Sequence, residues 1–286
     1  MDSDIRLTQF TGSSKVAERL CHITNGKVRI EDAGFDWKLL GPDVSNVDYI
    51  AWQSDQDAYA CSGQKCSAQS MLLVHENWVE AGLFNKLKDL AARRNIGDLT
   101  VGPTLSVTNL QIQKHIEGLL KITGSKVLFG GKPLEGHSIP SVYGSFEPTA
   151  VYVPLSEVVK PENVERVTTE VFGPFQVVTS WRTQEDLEKV LYLLENMSHH
   201  LTAGVVSNDP LFLQSILGRT VNGVTYVGTK ARTTGAPQNH WFGPAGDPRG
   251  TGIGSKEAIL HTWTCHREVV YDFGPIADGW KVPLAS

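Results

Sequence analysis

Apolar and polar positions alternate between two periods along most of the chain. RLTQF (6–10) has a strand-like alternation and leads into TGSS, a turn that ends in a helix N-cap. KVAERLCHI then places Val16, Ala17 and Leu20 at helical spacing, and KVRIE returns to a strand. VDYIAWQSDQDAYA predicts a helix with a polar face. A turn of small residues follows, then the buried-strand run SMLLV. HENWVEAGLFNKLKDLAARR predicts one amphipathic helix whose KLK and RR runs form a solvated face. NIGDLTVGP is turn-rich, with a break at Pro103.

The second half repeats the alternation. A helix is predicted over Thr108–Ile122, strands over KVLFGG and TAVYVPL, and a turn running into a strand over VTTEVFGPFQVVTSW. TQEDLEKVLYLLENM predicts a helix, TAGVVSND a strand, PLFLQSILGR a helix and GVTYVG a strand. Strands that alternate with helices predict an α/β fold with a mostly parallel sheet and flanking helices. From Ala231 the texture changes to a long Gly/Pro-rich loop, RTTGAPQNHWFGPAGDPRGTGIGS. Loops of this length inside a compact domain are commonly functional, and Trp241 and Phe242 argue against plain disorder. TWTCHREVVYDFG predicts a last strand with a tail.

Bulk properties narrow the classes. The 286 residues, 41% of them hydrophobic, suffice for a sizeable core. A net charge of −5 without a basic block gives no reason to expect nucleic acid. No apolar run reaches membrane-spanning length. MDSDIRLTQF lacks a basic or apolar leader, so no targeting segment is expected there. Four cysteines are too few for a disulfide framework.

The chemistry concentrates at AYACSGQKCSAQS, where Cys66 stands among Gly63, Ser67 and Ala68. Small neighbours leave room above a reactive sulfur, and turn N–H groups can donate to an oxyanion. A buried structural thiol is the commoner fate of a free cysteine, whereas a disulfide to Cys61 is disfavoured in a reducing compartment and a zinc site would have to recruit Cys21-His22 and Cys265-His266. Of these, the zinc spacing is the poorest, and no metal is expected.

Four segments, in order, resemble the aldehyde dehydrogenase superfamily. GQKCSAQS resembles its G-Q-x-C segment, FTGSSKVAERL its F-T-G-S turn, RIEDAGF its L-E-x-G-G-K segment and TEVFGPF its E-x-F-G-P segment. DAGFDWKLLGPD, DQDAYACSGQKCSAQSMLLVHENW, RTTGAPQNHWFGPAGDPRG and TCHREVVYDFGP resemble its pyrroline-5-carboxylate dehydrogenase branch in particular.

The resemblance implies an aldehyde dehydrogenase catalytic domain over 33–254 and a remnant of the Rossmann-like cofactor domain over 1–32. An oligomerisation strand and tail would occupy 255–286. It implies Cys66 as the nucleophile that forms a thiohemiacetal and then a thioester, and Glu31 as the base for its hydrolysis. Thr11, Gly12, Ser13, Glu170 and Phe172 would hold NAD. Phe242, Gly250, Thr251 and Gly252 would hold the substrate, with Trp241 beside Phe242 as an apolar wall and the glycine-loop N–H groups facing its carboxylate. The implied reaction is NAD-dependent oxidation of L-glutamate 5-semialdehyde to glutamate in proline breakdown, in the mitochondrial matrix. The implied partner is a second copy or a full-length relative.

The sequence departs from the pattern at Ala33, Phe35 and Ala17, which replace a Gly, a Lys and a Gly. The family's P-W-N and K-P-x-(S/A/E) segments are not found. A truncated member, catalytic or not, is therefore expected, with a non-catalytic interaction subunit or a Cys66-dependent ester hydrolase as the alternatives.

Overall fold

The computed structural model describes residues 5–32, 34–96, 100, 104–235 and 239–284. The expected break at Pro103, the replacement at Ala33 and most of NIGDLTVGP lie outside these residues.

Nine strands are formed among the described residues: β1 Thr8–Gly12, β2 Val28–Asp32, β3 Asp36–Leu40, β4 Gln69–His75, β5 Lys126–Phe129, β6 Thr149–Tyr152, β7 Phe175–Trp181, β8 Thr202–Val206 and β9 Val224–Val227. β1 and β2 pair in parallel as a two-stranded sheet, linked by a helix over Ser14–Ile23. The other strands form a seven-stranded sheet in the order β5-β6-β7-β4-β3-β8-β9. Only its β5–β6 pair is antiparallel. The fold is the expected α/β type with a mostly parallel sheet.

Helices cover both faces of the large sheet, so its central strands are buried throughout. Trp37, Leu39, Met71, Leu73, Val177, Ala203 and Val205 pack on one face, beneath the helices over Asn109–Leu120 and Gln184–Glu195. Leu40, Leu72, Val74, Val178 and Val206 pack on the other, with the helices over Val47–Tyr59 and Leu83–Ala91. Thr108 with Gln111 and Thr183 with Asp186 form reciprocal capping boxes that start two of these helices.

The structure corrects the pattern in several places. DWKLL forms β3, a central strand that the charges of Asp36 and Lys38 conceal in the sequence. The helix expected over 75–94 is two helices, Glu76–Glu80 and Leu83–Ala91, because Gly82 takes a left-handed φ of 83° between them. Short helices form over Leu155–Val158, Pro161–Val167 and Lys256–Trp263, where no element is predicted. The strand expected over TWTCHREVVYDFG is not formed. Its first two residues end the Lys256–Trp263 helix, and residues 264–284 extend with no neighbouring strand to exchange hydrogen bonds. Val270, Phe273 and Leu284 of that tail are exposed. Among the described residues, no helix is long and apolar enough to cross a membrane.

Candidate active site

The nucleophile candidate sits where the Val47–Tyr59 helix hands over to β4. Cys61, Ser62 and Gly63 all take left-handed backbone angles, with φ of 56°, 54° and 67°. This tight reversal turns the chain back before Cys66. A β-carbon on Gly63 would stand 2.1 Å from the carbonyl oxygen of Gly173. The small residue is therefore required for backbone contact between the Cys66 turn and the Phe172–Gly173 turn, rather than for opening a path to the sulfur. Phe172 is itself left-handed, with φ of 54°. For a bulky residue this is a strained state, of a kind that clusters at functional sites.

A cavity of about 350 Å³ joins the two units. Thr11, Gly12, Ser13, Glu31 and Asp32 line it from the β1–β2 unit, and Cys66, Glu170 and Phe172 line it from the large unit. Seven residues singled out in the sequence thus converge on one space. Gly34, Ser106 and Leu201 complete the wall. Sequence reasoning does not single these out: Ser106 and Leu201 carry no distinguishing chemistry, and Gly34 is visible only as part of RIEDAGF.

Glu31 is buried at the end of β2, and its carboxylate and the Cys66 thiol face the same cavity, close enough for each to shift the ionisation of the other. Burial raises the Glu31 pKa above its ordinary value, partly offset by the neighbouring Cys66 thiol. Glu31 Oε1 is buried without a protein partner. Burial pushes the Cys66 thiol up to about 12, with the neighbouring Glu31 carboxylate adding to it. The resting thiol is protonated. A proton acceptor therefore stands beside the sulfur, and the lowered thiol pKa that marks many reactive cysteines is not present.

Glu170 accepts from the Gly34 N–H at 3.2 Å. Burial pushes it up to about 7, partly offset by that bond and reinforced by the charges of Asp32 and Glu31. Across the cavity, the Ser14–Ile23 helix begins at Ser13 with no side-chain cap and no acidic residue in its first turn. Ser14 Oγ is buried without a partner. Free N–H groups at such a terminus suit a phosphate, and the Glu170 carboxylate suits sugar hydroxyls.

The late loop divides. Phe242 is buried with Leu201 and Val224, and Cys66 and Trp241 pack against this group. Gly250 and Thr251 line a different cavity, with Arg29 and His261. Their N–H groups, expected to face a substrate anion, are donated within the chain instead. Gly250 donates to Asp247 O at 2.9 Å and Thr251 to Ile30 O at 2.9 Å. The first bond closes a local turn, and the second forms because this segment runs along the open edge of β2, bridging Ile30 in parallel. Gly252 lies against the Trp241 indole.

All four cysteines are free, which removes the Cys61–Cys66 disulfide. Among the described residues, no group of three or more His, Cys, Asp or Glu side chains is placed to hold a metal ion.

A mostly parallel α/β sheet with a half-buried thiol and a buried carboxylate on one cavity defines a class that comparison with known proteins identifies. Residues 1–268 match the model of the aldehyde dehydrogenase family, and the chain belongs to that family. It is 62% identical over 287 aligned residues to the Arabidopsis thaliana protein named Delta-1-pyrroline-5-carboxylate dehydrogenase 12A1, mitochondrial, covering all of this chain and 51% of that protein. It is 61% identical to a Linum usitatissimum protein named "Probable aldehyde dehydrogenase", covering all of this chain and 52% of that one. The chain thus spans about half the length of both relatives. The structure of an NAD-dependent aldehyde dehydrogenase from Sinorhizobium meliloti superposes with a TM-score of 0.76 at 19% identity, over 98% of this chain and 53% of that one. At that identity the likeness concerns the fold.

Proposed function

We propose that this chain carries the catalytic half of a dehydrogenase that oxidises L-glutamate 5-semialdehyde, the open form of pyrroline-5-carboxylate, to glutamate. The observation that carries the reading is the Glu31–Cys66 pair, set in one cavity with Thr11, Gly12, Ser13, Glu170 and Phe172. The 62% identical relative, whose name gives pyrroline-5-carboxylate as substrate and the mitochondrion as location, supports the substrate and a mitochondrial setting.

Cys66 Sγ adds to the aldehyde carbon as its proton passes to the Glu31 carboxylate. The proton stays within the pair, which a thiol held near 12 requires at neutral pH. The result is the alkoxide of a thiohemiacetal on Cys66, with the proton on Glu31, which gives it up to solvent before the hydrolysis step. NAD, when bound, supplies the hydride acceptor that converts this adduct to a thioester. Thr11, Gly12 and Ser13 at the uncapped helix terminus would hold its phosphate, Glu170 its nicotinamide-side ribose, and Phe172 would pack against the ring. Once Cys66 is acylated, it holds no thiol proton. The Glu31 carboxylate, with its unpartnered Oε1, then takes a proton from the water that hydrolyses the thioester and returns it to the Cys66 sulfur as that leaves.

Phe242, with Trp241, forms the apolar wall behind Cys66, and Gly250, Thr251 and Gly252 brace that wall against β2. In domain terms, residues 1–32 serve the cofactor side and 33–254 the chemistry. Residues 255–286 serve association with a second copy or a full-length relative, through the exposed apolar tail.

The test is NADH formation from pyrroline-5-carboxylate by the purified chain, alone and with added relative, beside Cys66→Ala. A signal that disappears with Cys66 supports the reading. A folded chain that forms no NADH in either setting overturns it.

A further inference from the structure

Asp36 opens β3 and is fully buried, one strand-end away from Cys66. The cavity reading gives it no role. Its Oδ1 lies 2.6 Å from the Thr202 N–H donor and 2.7 Å from Thr202 Oγ1. That same hydroxyl lies 3.0 Å from the carbonyl oxygen of Thr233. A threonine hydroxyl carries one proton. If Asp36 were ionised, its Oδ1 and the Thr233 carbonyl would both be acceptors, and one of the two contacts would lack a hydrogen.

A proton on Asp36 Oδ1 completes the set. The acid then donates to Thr202 Oγ1, the hydroxyl donates to Thr233 O, and the Thr202 N–H donates to the remaining lone pair of Oδ1. The other oxygen, Oδ2, is buried without a partner. A neutral carbonyl oxygen tolerates that position far better than half of a carboxylate charge does.

We propose that Asp36 is a neutral carboxylic acid and a positioning residue, which passes a hydrogen bond through Thr202 to Thr233 and so ties the wall of the Cys66 cavity to the root of the Ala231–Gly254 loop. That loop returns Phe242 to the group packed on Cys66. The charged groups around Asp36 agree. Burial, then the charges of Glu170 and Glu31, hold its carboxyl well above the usual range, against the Thr202 hydrogen bonds. On its own strand, Lys38 is taken by Asp57 at 2.6 Å and by Ser54. Keeping Asp36 uncharged also spares the Cys66 thiol a further anion.

The proposal rests on the oxidation reading only in using Cys66 as a reporter thiol, and neither readout below needs cofactor or aldehyde. Infrared spectra of the full chain carrying carbon-13-labelled aspartate are recorded at neutral pH. A labelled carboxylic-acid carbonyl band is expected. It should vanish in Asp36→Asn and move to higher frequency in Thr202→Val, which removes the acceptor of the acid proton. The second readout is the rate at which iodoacetamide alkylates Cys66. Asp36→Asn should leave its pH profile within about twofold of the wild type, because no charge is removed. Loss of an anion that holds the thiol up by one pKa unit would raise the rate about tenfold. A wild-type spectrum without the acid band overturns the proposal, as does a tenfold gain in alkylation.

Discussion

Gly34 and Cys66 touch backbone to backbone: a β-carbon on Gly34 would stand 2.0 Å from the Cys66 carbonyl oxygen and 2.8 Å from Asp36 Oδ2. The contact locks the β2–β3 connection, with Glu31 just before it, against the turn that carries the thiol. Gly34→Ala must therefore push the two segments apart. The expected cost is about 3 kcal/mol, the upper end for overpacking, read as a lowered urea midpoint. Because the Gly34 N–H also holds Glu170, the cavity loses two of its walls together. Alkylation of Cys66 should lose its dependence on Glu31 in this variant.

How much of this is legible in the sequence depends on what each residue displays. SMLLV announces a buried strand by composition, and β4 is found there. β3 runs beside it and is equally buried, but Asp36 and Lys38 hide it, because their partners Thr202 and Asp57 are far away in sequence. Cys66 and Glu31 are readable through short motifs, which carry the chemistry but not the distance between them. The role of Gly63 is not readable. Its small size looks like access to sulfur, and the structure shows a contact with Gly173. For Gly250 and Thr251 a glycine-rich loop suggests free N–H groups, but a local turn to Asp247 takes the first and the open edge of β2 takes the second.

The ionisation of Cys66 provides a direct test of the pair. After burial, the Glu31 carboxylate is the largest influence holding the thiol up. Glu31→Gln removes the charge, so the thiol pKa falls and alkylation by iodoacetamide at neutral pH rises several-fold. Oxidation of the aldehyde should fall in the same variant by about 10²-fold or more, the size expected when a positioned base is lost. A reactive but inactive Cys66 would separate nucleophilicity from base catalysis. Parallel loss of both would instead mean that Glu31 serves mainly to hold the turn.

Glu170 makes stability depend on pH in an uncommon direction. Burial holds its folded-state pKa at about 7, above the ordinary 4.5 of a glutamate. The folded state therefore holds the proton more tightly than the unfolded chain in this window. Stability is greatest below the unfolded value, declines as pH rises through the window, and levels off above about 7. Glu170→Gln keeps an acceptor for the Gly34 N–H and carries no charge. It should stabilise the chain above neutrality by about 1–3 kcal/mol, given partial solvent contact, and leave acid stability unchanged. Urea titrations across the pH range check both parts.

The buried Lys38–Asp57 pair should respond unequally to loss of its two members. Asp57 accepts from Lys38 Nζ, Gln53 Nε2, the N–H groups of Thr233 and Thr234, and Thr234 Oγ1. Lys38 has Asp57 and Ser54. Removing the lysine leaves a carboxylate with four hydrogen-bond donors still in place. Removing the aspartate strands a buried amine, whose pKa burial already lowers, and frees the root of the late loop. Asp57→Ala should cost about 3–5 kcal/mol, as for other broken buried pairs, and Lys38→Met should cost clearly less. The loop should report the difference as well. Proteolysis within 231–254 should quicken in Asp57→Ala and stay near wild type in Lys38→Met. Equal sensitivity of the two variants would mean that the ion pair, rather than the Thr233–Thr234 attachment, holds the loop.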